Sequence, residues 1–243
     1  MAIKAPRIHV AAELSPGGDI VLPEGQARHL SRVLRLGVGA SVVLFDGRGH
    51  EAEAVLTEAD RKRVVARIEH VGAGRGESPL AVHLGQAISK GDRMDYAIQK
   101  AVELGVTAIT PLYTERGDVR LKGEREAKKL AHWQAVAASA CEQCGRATLP
   151  AVHPPRSLAE WLAERDEPLR LALHPGTPGV LERRDTPDRA AMLIGPEGGL
   201  SDNEMASASQ VGFEALTLGP RILRTETAPV VALTLLQDRF GDL

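Results

Sequence analysis

Apolar and polar positions recur with two different periods along this chain, and the change falls near residue 72. Before it the rhythm is mainly that of strands. Arg7–Val10 reads as a strand, Ser41–Phe45 is an apolar strand, Asp46-Gly47 marks a turn, Glu51–Leu56 alternates as the return strand, and Val64–Val71 alternates again. One helix is predicted among them, Glu24–Leu36, with Leu30, Val33 and Leu34 on one face. Several short strands about one helix predict a small barrel.

The stretch Gly72-Ala-Gly-Arg-Gly-Glu-Ser-Pro79 is rich in glycine and polar residues and reads as a linker. Beyond it strands alternate with helices. Leu80–Ala87 is a strand, and Asp92–Leu104 a helix with Met94, Ile98, Ala101 and Val102 at helical spacing, stopped by Gly105. Val106–Tyr113 is the next strand. Glu124–Cys144 is a long helix with Leu130, Trp133, Ala137, Ala140, Cys141 and Cys144 on its apolar face. Leu169–Leu173, Ala190–Ile194 and Ala215–Leu218 are further strands. Ser157 with Glu160, and Ser201 with Glu204, have capping-box spacing, and a last helix begins near Thr227 with Pro229 in its first turn. This alternation predicts a mostly parallel sheet with helices on its faces.

With 243 residues, 43% of them hydrophobic, the chain can bury one large core or two smaller ones. Thirty basic and 32 acidic residues leave a formal charge of −2, so net charge carries no nucleic-acid footprint, although a local basic face remains open. The first ten residues lack an apolar secretory core, and no apolar run is long enough to span a bilayer. With only Cys141 and Cys144, a disulfide scaffold is excluded; the cytosol is the expected compartment. Their C-x-x-C spacing lacks a second ligand pair, and the eight histidines show no ligand spacing, so two thiols facing a helix core are expected and no metal.

The candidate chemistry lies in two glycine-rich segments, Leu193-Ile-Gly-Pro-Glu-Gly-Gly-Leu-Ser201 and Leu218-Gly-Pro-Arg-Ile-Leu-Arg-Thr-Glu-Thr-Ala228. Each follows a predicted strand, where open α/β sheets bind ligands, and its glycines permit close backbone approach. Neither contains a dinucleotide fingerprint or a P-loop. The pattern leaves a ligand held by backbone groups and apolar walls, such as an adenosine-type cofactor. Arg224-Thr225-Glu226-Thr227 is the polar cluster beside them. It reads first as a helix cap, with Thr225 or Thr227 as the capping residue, a role compatible with catalysis.

Together these segments resemble the bacterial 16S ribosomal RNA uracil-N3 methyltransferases of the SPOUT superfamily. The resemblance runs the length of the chain. It includes His29-Leu-Ser-Arg-Val-Leu-Arg35, Lys90-Gly-Asp-Arg-Met-Asp95, Lys100-Ala-Val-Glu-Leu-Gly105, Glu115-Arg116 and Glu142-Gln-Cys-Gly-Arg146. The chain departs from the family at Gly117-Asp118, where serine is usual after Glu115-Arg116, and at Cys144, where serine is common.

The resemblance implies an α/β fold: a SPOUT-type parallel sheet with a C-terminal trefoil knot (residues 73–243), preceded by a small PUA-like β-barrel that binds RNA (residues 1–72). It also implies S-adenosyl-L-methionine as methyl donor, a homodimer, and 16S rRNA or the small ribosomal subunit as partner. Carried over by position, Leu173, His174, Gly195, Pro196, Glu197, Gly198, Gly199, Leu218, Gly219, Ile222, Leu223, Thr225, Thr227 and Ala228 surround the donor. Arg7, His29, Arg32 and Arg35 face RNA from the small domain, and Arg116, Gln143 and Arg146 line the target pocket or the RNA path. Arg224 and Glu226, beside the donor loop, are the catalytic candidates, as electrostatic stabiliser and as base. Two alternatives stand beside this reading: a knotted methyltransferase acting on another RNA position, and an inactive PUA-like RNA-binding protein.

Overall fold

The alternating segments of the first seventy residues pair as one sheet. In the computed structural model, which describes residues 5–60, 63–175 and 186–243, this sheet comprises β1 (Arg7–His9), β2 (Asp19–Val21), β3 (Ser41–Phe45), β4 (His50–Ala59) and β5 (Val64–Ala73). Their order is β1-β3-β4-β5-β2, with β1 parallel to β3 and the other pairs antiparallel. The sheet is bulged twice between β4 and β5, which bends and twists the pair. At the β3–β4 turn, the Asp46 carboxylate accepts the N–H groups of Arg48 (2.7 Å) and His50 (3.1 Å). The inward positions, among them Ile8, Leu44, Leu56 and Ile68, close over Ala27 and Leu30 as one core.

The predicted helix Glu24–Leu36 is only partly formed. Helix α1 covers Glu24–Arg28, and His29–Val33 continues as a π-helical turn in which the Leu34 N–H reaches back to His29 O. The wider turn breaks the 3.6-residue spacing. Leu30 still faces the core, whereas Val33 and Leu34 are 66% and 43% exposed. Arg35, at φ 54°, ends the turn in the left-handed region.

The first compact unit comprises residues through Glu77 together with Cys141–Leu149. The glycine-rich stretch read as a linker belongs to it as far as Glu77. A Cβ on Gly74 would lie 2.0 Å from that of Ala147, so only glycine fits there. Within this unit the buried Arg146 guanidinium pairs with Glu77 at 2.7 Å.

The second unit, Ser78–Ala140 and Pro150–Leu243, carries the strand–helix alternation. Its elements are β6 (Ala81–Ala87), α2 (Asp92–Glu103), β7 (Ala108–Tyr113), α3 (Glu124–Cys144, whose residues from Cys141 on belong to the first unit), β8 (Ala151–Val152), β9 (Arg156–Ser157), α4 (Leu158–Ala163), β10 (Leu169–Leu173), β11 (Arg189–Ile194), α5 (Asp202–Gln210), β12 (Glu214–Leu216) and α6 (Thr227–Phe240). Strand order is β12-β10-β11-β6-β7-β8, with β9 also on β7, and every pair is parallel. Trp161 and Leu162 of α4 and Ala208 of α5 pack on Ala172, Ala191 and Leu193 of the sheet. Both predicted capping boxes form, at Ser157/Glu160 and Ser201/Glu204.

On α3, Trp133, Ala137, Ala140 and Cys141 are buried as expected. Cys144 is not: it is the last helical residue and is exposed. Burial pushes the Cys141 thiol up to about 12.

Near the start of β6, Arg165 donates to Nδ1 of the part-buried His83, whose Nε2 lies 2.8 Å from Thr110 Oγ1 and 3.3 Å from the Trp161 indole N–H. Burial first, then the Arg165 charge, pulls the His83 pKa down to about 3. Among the described residues no helix is long and apolar enough to cross a membrane, and no group of three His, Cys, Asp or Glu residues is arranged to hold a metal.

Candidate functional site

Three adjacent strands, β10, β11 and β12, end at Leu173, Ile194 and Leu216, and the loops leaving them enclose a cavity of about 600 Å³. Parallel pairing puts all three carboxyl ends on one edge, which makes such a crevice in an open α/β sheet. Leu173, Ile194, Leu216, Leu218, Ile222 and Leu223 supply apolar wall.

The first loop is a tight turn. Gly199 N–H donates to Pro196 O at 2.8 Å, and Gly199 takes φ 69°. A side chain on Gly195 would press on Leu200 at 3.1 Å. The turn runs into α5, whose buried Glu204 carboxylate accepts the N–H groups of Ser201 and Glu115, both at 2.8 Å. The His174 N–H bonds Leu216 O (3.1 Å), and the Thr217 hydroxyl returns to His174 O (2.9 Å). These bonds tie the loop ends together.

The second loop leads into α6, and here the expected cap is replaced. The N-cap position is Glu226, with no side-chain capping bond; instead Arg224 O accepts the N–H groups of Thr227 and Ala228, both at 2.9 Å. Thr225 is buried and spends its hydroxyl on Gly195 O at 3.0 Å, tying the second glycine segment to the first. Thr227 is exposed in the first turn of α6 and lies off the cavity wall. The other thirteen residues expected around the donor line the cavity.

Arg224 and Glu226 both line it too. Arg224 is exposed, whereas Glu226 is half-buried with Oε2 shielded and without a hydrogen-bond partner. His174 Nδ1 is in the same state. Three further arginines reach the wall. Arg116 donates to the carbonyls of Gly198 and Leu200, both at 3.2 Å, Arg93 of α2 pairs with Glu197 at 2.6 Å, and Arg221 is exposed. At the family departure, Gly117 N–H closes a turn on Thr114 O, and a Cβ there would meet Thr114 Oγ1 at 2.8 Å. The neighbouring Asp118 pairs with Lys90.

The residues expected to face RNA divide by environment. His29, Arg32 and Arg35 are exposed on the π-helical turn and the residues after it, and Gln143 is exposed near the end of α3. Arg7 is largely buried: its guanidinium lies over the Phe45 ring, pairs with Glu51 (2.7 Å) and donates to Arg146 O (3.3 Å). Arg146 is 3% exposed. These two arginines are committed to partners inside the first unit.

Arg221, inside the expected Leu218–Ala228 segment, lines the cavity, and so do Arg93, Pro175, Ile194, Leu200, Leu216 and Thr217, which were given no site role from the sequence. Their neighbours in the glycine segments were a signal for most. Arg93, about a hundred residues upstream, is brought to the wall by the parallel order of β6 and β11.

A parallel α/β sheet with a glycine-walled cavity at its strand ends defines a cofactor-binding enzyme domain. Residues 76–237 match the RNA methyltransferase domain family, and residues 22–69 match the RNA methyltransferase PUA domain. The chain is 35% identical over 245 residues to the ribosomal RNA small subunit methyltransferase E of Buchnera aphidicola subsp. Schizaphis graminum, covering 100% of both chains. Among solved structures it superposes on a methyltransferase of Legionella pneumophila in complex with SAM (TM-score 0.96, 42% identity, 99% and 100% of the two chains). It also superposes on the ribosomal RNA small subunit methyltransferase E of Neisseria gonorrhoeae bound to S-adenosyl methionine (TM-score 0.92, 42% identity, 99% and 100%). The chain therefore belongs to the RNA methyltransferase family that contains the ribosomal RNA small subunit methyltransferases E.

Proposed function

We propose that the chain uses S-adenosyl-L-methionine to methylate N3 of a uridine in the 16S RNA of the small ribosomal subunit. The carrying observation is the cavity at the ends of β10, β11 and β12, in a chain alignable end to end with ribosomal RNA small subunit methyltransferases. The residues present suit this donor. About 600 Å³ with apolar walls and backbone polar groups is the kind of site an adenosine-type cofactor takes. Shielded, unpartnered polar atoms of His174 and Glu226 stand ready to bond a ligand.

When bound, the donor supplies a methyl group already activated on a sulfonium. The protein's remaining task is the acceptor. N3 of uracil carries a proton, and its lone pair must be freed at or before transfer. Glu226 is assigned the proton, and Arg224 the stabilisation of negative charge on the base. Holding both reactants in register contributes much of the remaining acceleration. His29, Arg32 and Arg35 are assigned to backbone phosphates, which set register rather than sequence. Family membership also supports a homodimer, a trefoil knot in the C-terminal region and a cytoplasmic setting.

Titration calorimetry with S-adenosylmethionine, followed by transfer of a labelled methyl group to small-subunit RNA from cells lacking the protein, tests this reading. Saturable donor binding and incorporation near one methyl per RNA are expected. No donor binding would favour an inactive RNA-binding module.

A further inference from the structure

The end of β6 carries a buried amide that the reaction described above does not use. Gln86 is 0% exposed. Its Nε2 donates to Ala87 O and to Thr225 Oγ1, both at 3.2 Å, and the Thr225 hydroxyl donates to Gly195 O at 3.0 Å. Chemistry fixes each direction. Gly195 and Ala87 present carbonyl oxygens, which only accept, so the hydroxyl proton goes to Gly195 and the amide must turn its NH2 toward Thr225. In the sheet Gln86 is also the register partner of Ile194, the residue before Gly195. One side chain of β6 is thereby linked, through one hydroxyl, to both glycine segments.

The remaining amide oxygen, Oε1, is buried without a partner. Desolvating it carries a penalty that an apolar residue of the same shape avoids. Packing alone therefore does not account for glutamine here, whereas its two donated bonds do.

We infer that Gln86 is a positioning residue for methyl transfer: through Thr225 it holds Arg224 and Glu226, on either side of that threonine, against the Gly195–Gly199 turn. This rests on the donor-pocket reading proposed above. Gln86 does not line the cavity, so it acts through the loop rather than on the reactants.

The test compares Gln86→Leu, Thr225→Val, Thr225→Ser and the Gln86→Leu/Thr225→Val double variant. Readouts are single-turnover methylation of small-subunit RNA at saturating S-adenosylmethionine, donor Kd by calorimetry, and melting temperature. The transfer rate should fall about 10–100-fold in Gln86→Leu and in Thr225→Val, by more than donor affinity falls. The double variant should be no slower than the slower single, because both break one chain of bonds. Thr225→Ser, which keeps the hydroxyl, should stay within about threefold of wild type. A folded Gln86→Leu protein with the wild-type saturated rate would overturn the inference, as would Thr225→Ser as slow as Thr225→Val, or losses that multiply in the double variant. If Gln86→Leu does not fold, the two Thr225 variants decide the matter. Wild-type protein that binds no S-adenosylmethionine would instead overturn the donor-pocket reading itself.

Discussion

Glu226 and Arg224 are two residues apart, yet the fold treats them differently. The carboxylate is half-buried with Oε2 shielded, and the guanidinium is open to solvent at the same cavity. Glu226→Gln should keep donor affinity within a few fold and lower single-turnover methylation by about 10²–10⁴-fold if it takes the N3 proton. A near-normal rate would remove that role. Arg224→Ala should lose rate more than donor affinity, and an unchanged rate with unchanged binding would exclude it. A separate residue-scale outcome concerns His83. Its pKa is about 3 in the native state against 6.5 when exposed, so below about pH 6.5 the unfolded chain binds a proton that the native protein does not. Stability contributed by the neutral ring is full above pH 6.5. It is lost as pH falls toward 3, at up to about 1.4 kcal/mol per pH unit. His83→Gln should flatten this part of the pH–stability curve, measured by urea unfolding; parallel curves would contradict it. At this scale the sequence was informative where backbone demanded glycine, at Gly195 and Gly199. It was silent on Gln86, because a polar residue at a strand end declares nothing until its partner Thr225, 139 positions away, arrives.

Among the elements, periodicity served best where one face was buried against one surface. Helix α2 matches its pattern at Met94, Ile98, Ala101 and Val102, all buried. It failed at Glu24–Leu36, where the spacing assumed an α-helix and the chain took a π-helical turn that leaves Val33 and Leu34 outside the core. Thr225 failed as a cap for a tertiary reason: its hydroxyl found Gly195 O and Gln86 instead of the helix end. The Ser201/Glu204 box was legible because it is local, and Glu204 then does more than capping, holding Glu115 N–H as well. Ser201→Ala should cost about 1 kcal/mol of stability by denaturant unfolding. It should also weaken donor binding modestly, since α5 anchors the far end of the Gly195–Gly199 turn. No change in either would detach that helix from the site.

For the whole molecule, a net charge of −2 concealed the exposed His29, Arg32 and Arg35 carried by the first unit. Arg7 and Arg146, equally basic in the sequence, are spent on Glu51 and Glu77. Arg35→Ala should therefore weaken RNA binding and reduce the slope of log K against log salt by about 0.7–0.9 if one phosphate contact is lost, without changing donor affinity. An unchanged slope would place the RNA elsewhere. The central claim, methyl transfer to a uracil nitrogen of small-subunit RNA, is tested most directly by nucleoside mass spectrometry. Small-subunit RNA from a strain deleted for this gene is incubated with the purified protein and S-adenosylmethionine, then digested. The expected result is a 3-methyluridine that is absent before incubation and restored by the protein. Methyl on a ribose 2′-oxygen, or no new methylated nucleoside, would contradict it.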